Sequence, residues 1–223
     1  MSIGPTIVTD GLNLSIDPAD PNCYVTGSSF VYNLADPNES GSLNNPANTF
    51  WSPTGSFWYT DSLTDRGGND GNFIAFTEDD DTQGDATNAI TYECWTNRQG
   101  LSSNSNPRLM STDLSDYCGI YFASSAGATN IRWRINIGGG AKELTSTGYS
   151  SGFPVGEWMH VVGTADYNGS NSYNSYLYIN GELNKSVIGG GASGNWGDGT
   201  SRPFAVSSNV EETVQNNRGY NAF

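Results

Sequence analysis

The segment Gly156-Glu-Trp-Met-His-Val-Val-Gly-Thr-Ala-Asp-Tyr167, a polar Asn/Ser/Gly stretch, and then Tyr176-Leu-Tyr-Ile-Asn-Gly-Glu-Leu-Asn-Lys-Ser186 decide the fold. A strand opens at Trp158 and runs through Val161 and Val162. A second occupies Tyr176 to Ile179, and Asn180-Gly181 reverses the chain. A type I′ turn needs positive φ at both central residues, and Asn and Gly tolerate this best, so the pair predicts a two-residue hairpin. Trp158, at the head of the first strand, is expected in the core, where its loss would empty an aromatic site.

Outward from this hairpin the same grammar repeats. Ile131-Arg-Trp-Arg-Ile-Asn-Ile137 alternates strictly, with Ile131, Trp133, Ile135 and Ile137 on one face and Arg132, Arg134 and Asn136 on the other. Further strands are expected at Gly11 to Ile16, Asn72 to Phe76, Ala89 to Asn97, Cys118 to Ala123, Trp158 to Ala165, Tyr173 to Ile179, Glu182 to Ile188 and Pro203 to Ser207. Gly, Asn, Asp, Ser and Pro clusters bound each of them. Asp36 to Asp70, Arg98 to Asn106 and Gly189 to Arg202 read as long loops. The 28 glycines and nine prolines disfavour long helices and suit short strands with tight turns. The expected architecture is all-β, two packed antiparallel sheets in one domain spanning 1–223.

The charge of −14 arises from 23 acidic and nine basic side chains, so nucleic-acid binding, which needs a basic footprint, is not expected. Acidity of this degree suits saline surroundings or a bound cation. No stretch reaches the length of a membrane helix, and Met1-Ser-Ile-Gly-Pro5 lacks the basic and apolar regions of an export signal. Neither membrane insertion nor signal-directed export is expected. Cys23, Cys94 and Cys118 are odd in number and widely spaced. They read as three small buried or half-buried thiols, with one disulfide as the alternative.

The order Trp-x-His-Val-Val-Gly-Thr, loop, Leu-Tyr-Ile-Asn-Gly-Glu resembles the laminin G-like, concanavalin A-like jelly-roll superfamily. The opening Thr9-Asp-Gly-Leu-Asn-Leu-Ser-Ile-Asp-Pro-Ala-Asp-Pro-Asn-Cys-Tyr24 is similar to the first strand and loop of such domains in tailed-phage virion proteins. Phe73 to Asp81 resembles the family's strand ending in paired aspartates, and Ile90-Thr-Tyr-Glu-Cys-Trp95 its central strand. The family usually closes with a returning strand, and the chain ends at Arg218 to Phe223, where that strand would begin. The resemblance therefore implies either a longer polypeptide or a final strand supplied from elsewhere. An unpaired edge would invite a homo-oligomer or other virion proteins as partners.

Enzymes of this jelly roll carry alternating carboxylates on one strand, and retaining glycosidases hold two carboxyl groups about 5 Å apart. Glu93 stands alone on its strand, and neither serine-hydrolase elbows, phosphate loops nor zinc signatures occur. His160, the only histidine, reads as a satisfied core residue. The run Glu78 to Asp85 offers oxygen ligands for calcium, with Asp80 and Asp81 as metal candidates at the family's paired-aspartate position. Asp166 and Asn168 come second. A solvated acidic turn is the alternative. Trp51, Trp58, Tyr59 and Trp196, in loop-like sequence, are the candidates for stacking on a glycan or meeting a partner, the alternative being that they seal the core. Arg132 and Arg134 read as local ion partners.

The resemblance implies a non-enzymatic surface protein of a tailed-phage virion, as head decoration, fibre or adhesion module, assembled in the host cytoplasm. The alternative is a carbohydrate-binding lectin of a cell-surface or secreted assembly. A degenerate glycoside hydrolase is a third reading, weakened by the missing carboxylate pair.

Overall fold

Alternation in the sequence becomes two sheets with one shared interior. A computed structural model describes residues 11–43, 49–51, 58–60, 74–76, 89–97, 108–112, 118–125, 128–137, 140–149, 153–167, 171–192 and 204–206. Its elements are all strands: β1 (Phe30–Tyr32), β2 (Ser40–Leu43), β3 (Thr49–Trp51), β4 (Trp58–Thr60), β5 (Ile74–Phe76), β6 (Ala89–Asn97), β7 (Arg108–Ser111), β8 (Gly119–Ser125), β9 (Ala128–Ile137), β10 (Gly140–Thr145), β11 (Trp158–Tyr167), β12 (Ser172–Ile179), β13 (Glu182–Gly191) and β14 (Phe204–Val206). The large sheet has the order β1-β2-β5-β14-β7-β8-β9-β10 and the small sheet β13-β12-β11-β6, while β3 and β4 form a separate pair. Every described pairing is antiparallel. The result is the expected jelly-roll sandwich, whose last described strand, β14, inserts between β5 and β7. No described helix is long and apolar enough to cross a membrane.

The two sheets meet through the residues that alternation points inward. Ile131, Trp133, Ile135 and Ile137 of β9 are buried, as are Met159, Val161 and Ala165 of β11 and Leu177 and Ile179 of β12. Trp133 sits where they converge. Its Nε1 donates to the Thr164 carbonyl at 3.2 Å and to the Ser175 hydroxyl at 3.0 Å, and its ring meets Tyr92 edge-on at 5.3 Å. A buried indole N–H needs such acceptors, and here they also lock one sheet to the other. The face of this ring lies against the backbone of β11, where a Cβ added to Gly163 would fall 2.3 Å from Trp133 Cδ2.

The hairpin forms as the sequence dictates. Asn180 and Gly181 take φ of 53° and 79°, and Ile179 pairs with Glu182 across them. Cys23, Cys94 and Cys118 are buried free thiols. Burial, then the charge of Glu93, pushes the Cys94 thiol up to about 12. Burial also pushes Cys23 up to about 11, aided by Asp17 and Asp20 and partly offset by a hydrogen bond from the Asp17 backbone.

Three expectations fail. Gly11 to Ile16 forms no strand, although Leu14 and Ile16 pack on the core. The buried side chain of Asn33 takes the place of a ladder partner, accepting from Ser15 N at 2.9 Å and donating to the Asn13 carbonyl at 2.7 Å. The supposed loop from Asp36 to Asp70 contains β2, β3 and β4. Trp158 is not a core residue but 44% exposed, because Met159, Val161, Gly163 and Ala165 take the inward phase of β11.

Candidate functional site

Since Met159, Val161 and Ala165 point inward, the side chains between them point out, and they bring rings together. On the outer face of the small sheet His160 of β11 pairs across the ladder with Trp95 of β6. The two rings stack at 4.8 Å with 27° between their planes. His160 Nε2 lies 2.8 Å from Glu93 Oε1, and the His160 backbone N–H donates to Asn180 Oδ1 at 2.9 Å. The imidazole is thus fixed on two sides and partly exposed, while Trp95 remains 58% exposed. The histidine is satisfied, as expected, but on the outer face rather than in the core.

The ring surface continues across the sheet. Val162 pairs with Tyr178 and Thr164 with Tyr176, and the two tyrosines lie 6.3 Å apart with 29° between planes. Leu183, 54% exposed, sits opposite Tyr178 on β13. Trp158 stands on the same strand as His160, two residues before it. Single exposed apolar residues are ordinary, but these are joined by strand register into one patch flanked by Glu93, a polar group set among rings. Flat rings beside a fixed hydrogen-bonding pair suit a ligand with both apolar and hydroxylated faces.

Hydrolysis would need a second carboxylate. Glu93 pairs with Val162, and among the described residues of this face the next acid along β11, Asp166, lies four residues farther on. At the strand rise that is about 13 Å, beyond the spacing of either glycosidase class. Asp166 is instead engaged by the Asn174 amide at 2.9 Å.

The outer face of the large sheet is of opposite character. Arg132 of β9 binds Glu143 of β10 at 3.0 Å, as local ion pairing predicts, and Tyr121 of β8 donates its hydroxyl to the same Glu143. Arg108 of β7, which sequence reading passed over, lies 4.5 Å above the Tyr121 ring, with Arg132 6.0 Å from it. Arg108, Tyr121 and Asn136 are buried there.

Of the predicted site residues, Trp51 and Trp58 are brought opposite one another in the β3–β4 pair, with Phe50 opposite Tyr59. Trp196, Asp80, Asp81 and Asn168 lie outside the described residues. Among the described residues no three His, Cys, Asp or Glu side chains gather as a metal site. Trp95 was legible only as a strand marker. Its exposure follows from the burial of Tyr92, Cys94 and Thr96 on the alternate positions of β6.

The family model of the concanavalin A-like lectin/glucanases superfamily, laminin G type, matches residues 66–221. No curated protein matches the chain significantly. Among solved structures it is similar to the binding domain of botulinum neurotoxin DC in complex with SialylT, at TM-score 0.59 and 12% identity, covering 97% of this chain and 48% of that one. The receptor-binding domain of the C/D mosaic serotype matches at TM-score 0.59 and 14% identity, with the same coverage. The serotype D binding domain matches at TM-score 0.59 and 16% identity, covering 97% of this chain and 49% of that one. The chain thus spans about half the length of these domains, and the likeness is one of fold.

Proposed function

The chain belongs to the concanavalin A-like lectin/glucanases superfamily, and from that premise we propose that it is a non-enzymatic, glycan-binding adhesion module. The observation that carries this reading is the exposed Trp95, stacked on a His160 that Glu93 holds in place. It is the joining of several rings into one patch, rather than the exposure of any one of them, that suits a ligand, and the apolar face of a sugar would cover the patch while its hydroxyls met Glu93 and His160. The distance from Glu93 to Asp166, the next described carboxylate along that face, supports binding over hydrolysis. That one structural neighbour is a binding domain in complex with SialylT lends the class further support.

Within that class we place the module on the surface of a tailed-phage virion, assembled in the host cytoplasm beside other virion proteins or as a homo-oligomer. The likeness of Thr9 to Tyr24 to the opening of virion domains motivates this, and the charge of −14 suits exposure to salt water. The β3–β4 pair, with Trp51, Trp58 and Tyr59, is a second surface proposed for glycan or partner, as is Trp196. Calcium at Asp80 and Asp81 is the proposed cofactor. A native-state site of about 10 µM affinity would add about 2.7 kcal/mol in millimolar calcium, and identical melting with calcium and with chelator rejects it.

Screening the intact protein against immobilised glycans tests the function. Retention on a defined subset, with no release of reducing ends on prolonged incubation, is the expected result. Turnover of any bound glycan would overturn the non-enzymatic reading, and retention on none would overturn glycan binding.

A further inference from the structure

Resting on the glycan-binding reading above, we propose that the ring surface of the small sheet selects its sugar by charge. The ligand is a glycan with a free, protonated amine, a hexosamine without its acetyl group, seated with the ammonium on Glu93 and a ring face on Trp95. The amine rather than the hydroxyls sets the specificity.

The strands β6, β11 and β12 that build this face contain two carboxylates, Glu93 and Asp166, and no lysine or arginine. Lys185 of the edge strand β13 pairs with the buried Leu177 rather than with either tyrosine of the face. Asp166 is already engaged by the Asn174 amide. The Glu93 side chain, by contrast, is 59% exposed, and among the described residues its one hydrogen bond is to His160 Nε2. An ionised carboxylate only accepts, so the imidazole is the donor, and most of the acceptor capacity of the two carboxylate oxygens stays open to a ligand. An ammonium brings three donors where a hydroxyl brings one, and it adds a Coulomb attraction that a hydroxyl lacks.

The rings stand where such a sugar needs them. Trp95 follows Glu93 by two residues on the same face of β6, which puts their Cα atoms about 7 Å apart. A pyranose lying on the exposed indole can turn an edge substituent to the acid over that distance. From Glu93 one cross-strand row runs through Val162 and Tyr178 to Leu183, and the next row carries Tyr176. Strands stand about 4.8 Å apart, close to the length of one pyranose in an extended chain, so the row offers successive sugars an apolar floor that starts at the acid. The faces of aromatic rings carry negative potential and attract cations, so rings and carboxylate favour the same charge. An acidic sugar meets the reverse, two carboxylates without a lysine or arginine in these three strands, on a chain of charge −14.

The test is calorimetric titration of the full chain with the β-linked glucosamine trisaccharide, its N-acetylated form and cellotriose, under conditions that keep the amines protonated. These sugars differ only in an ammonium, an acetamide or a hydroxyl at one carbon of each unit. The titrations are repeated on Glu93→Gln, Trp95→Ala and Asp36→Asn, with melting recorded for each. The free-amine trisaccharide should bind at least ~10-fold tighter than either neutral one, and weaken as salt rises. Glu93→Gln should erase that preference, and Trp95→Ala should weaken free-amine binding ~10-fold. Asp36→Asn removes the same charge from a turn between β1 and β2, where Asp36 accepts from the Asn38 backbone, and should leave the preference in place. A preference that survives Glu93→Gln is diffuse attraction to an acidic chain and overturns the inference, as does free-amine binding no tighter than neutral. Equal binding of all three sugars, lost in Trp95→Ala, overturns the inference and leaves the glycan-binding reading standing, whereas retention of no glycan at all removes both.

Discussion

The two outer faces of the sandwich use opposite chemistry. On the small sheet the large rings of Trp95 and Trp158 stand 58% and 44% exposed. On the large sheet Tyr121, a ring of similar kind, is 1% exposed beneath Arg108. One face offers apolar area to a partner and adds a single fixed polar pair, Glu93 and His160. The other withdraws its ring and offers charge. The lesson is that a sandwich with an ordinary core can divide its surface by sheet, with strand register alone deciding which chemistry each face shows.

The largest effect should come from the element that joins the faces. Trp133→Ala removes a fully buried ring and two hydrogen bonds that link the sheets, and should cost about 3–5 kcal/mol in denaturant unfolding. A loss below about 1 kcal/mol would mean that the sheets do not pack through this residue. Gly163→Ala approaches the same contact from β11. Its new methyl would meet the Trp133 ring, an overpacking expected to cost about 1–3 kcal/mol. Unchanged stability would require Trp133 to move and would disprove the close approach.

The turn comes next. Gly181→Val forces a β-branched residue to a φ of 79° and should cost about 1–3 kcal/mol. Stability equal to wild type would remove the Asn180-Gly181 turn from the account. Trp158→Ala should be smallest, below about 1 kcal/mol, since the ring already stands in solvent. A loss near that of Trp133→Ala would return Trp158 to the core and reverse the two faces of β11.

The thiols supply a pH test of the interior. Cys94 and Cys23 are raised from their ordinary 9.0 to about 12 and about 11, so both stay protonated in the native protein after the unfolded chain has begun to ionise. Because the folded values are the higher ones, their contribution is fully present below pH 9 and is lost as pH rises towards 11 and 12. Urea midpoints should fall across that window, and fall less in Cys94→Ala. A flat profile from pH 9 to 11 would contradict the burial of both thiols.

Much of this was legible in the sequence. The β11–β13 blocks announce themselves by alternation and by Asn-Gly, and the inward phase of β9 is correct at all four positions from Ile131 to Ile137. The phase of β11 was not, because Val161 and Val162 are both apolar and either can lead inward. The burial of Val161 against the outward Val162 is settled only by packing on Trp133 and its neighbours. Short strands such as β1, β2 and β7 carry three or four residues, too few to show a period. Gly11 to Ile16 shows the period without the strand, because one distant side chain, Asn33, captures its backbone. The Trp95–His160–Glu93 cluster was hidden for a related reason. Glu93 and His160 lie 67 residues apart in sequence and meet only through the β6–β11 register. Arg108 joins Arg132 by a similar cross-strand route.

The central claim is that the exposed rings of the small sheet bind and do not merely decorate the fold. Affinity for a glycan retained by the wild-type chain, measured beside the melting temperature in Trp95→Ala, tests it most directly. The account predicts that affinity falls at least ~10-fold, about 1.4 kcal/mol, while the melting temperature stays within a few degrees. Unchanged affinity in a folded Trp95→Ala protein would contradict it.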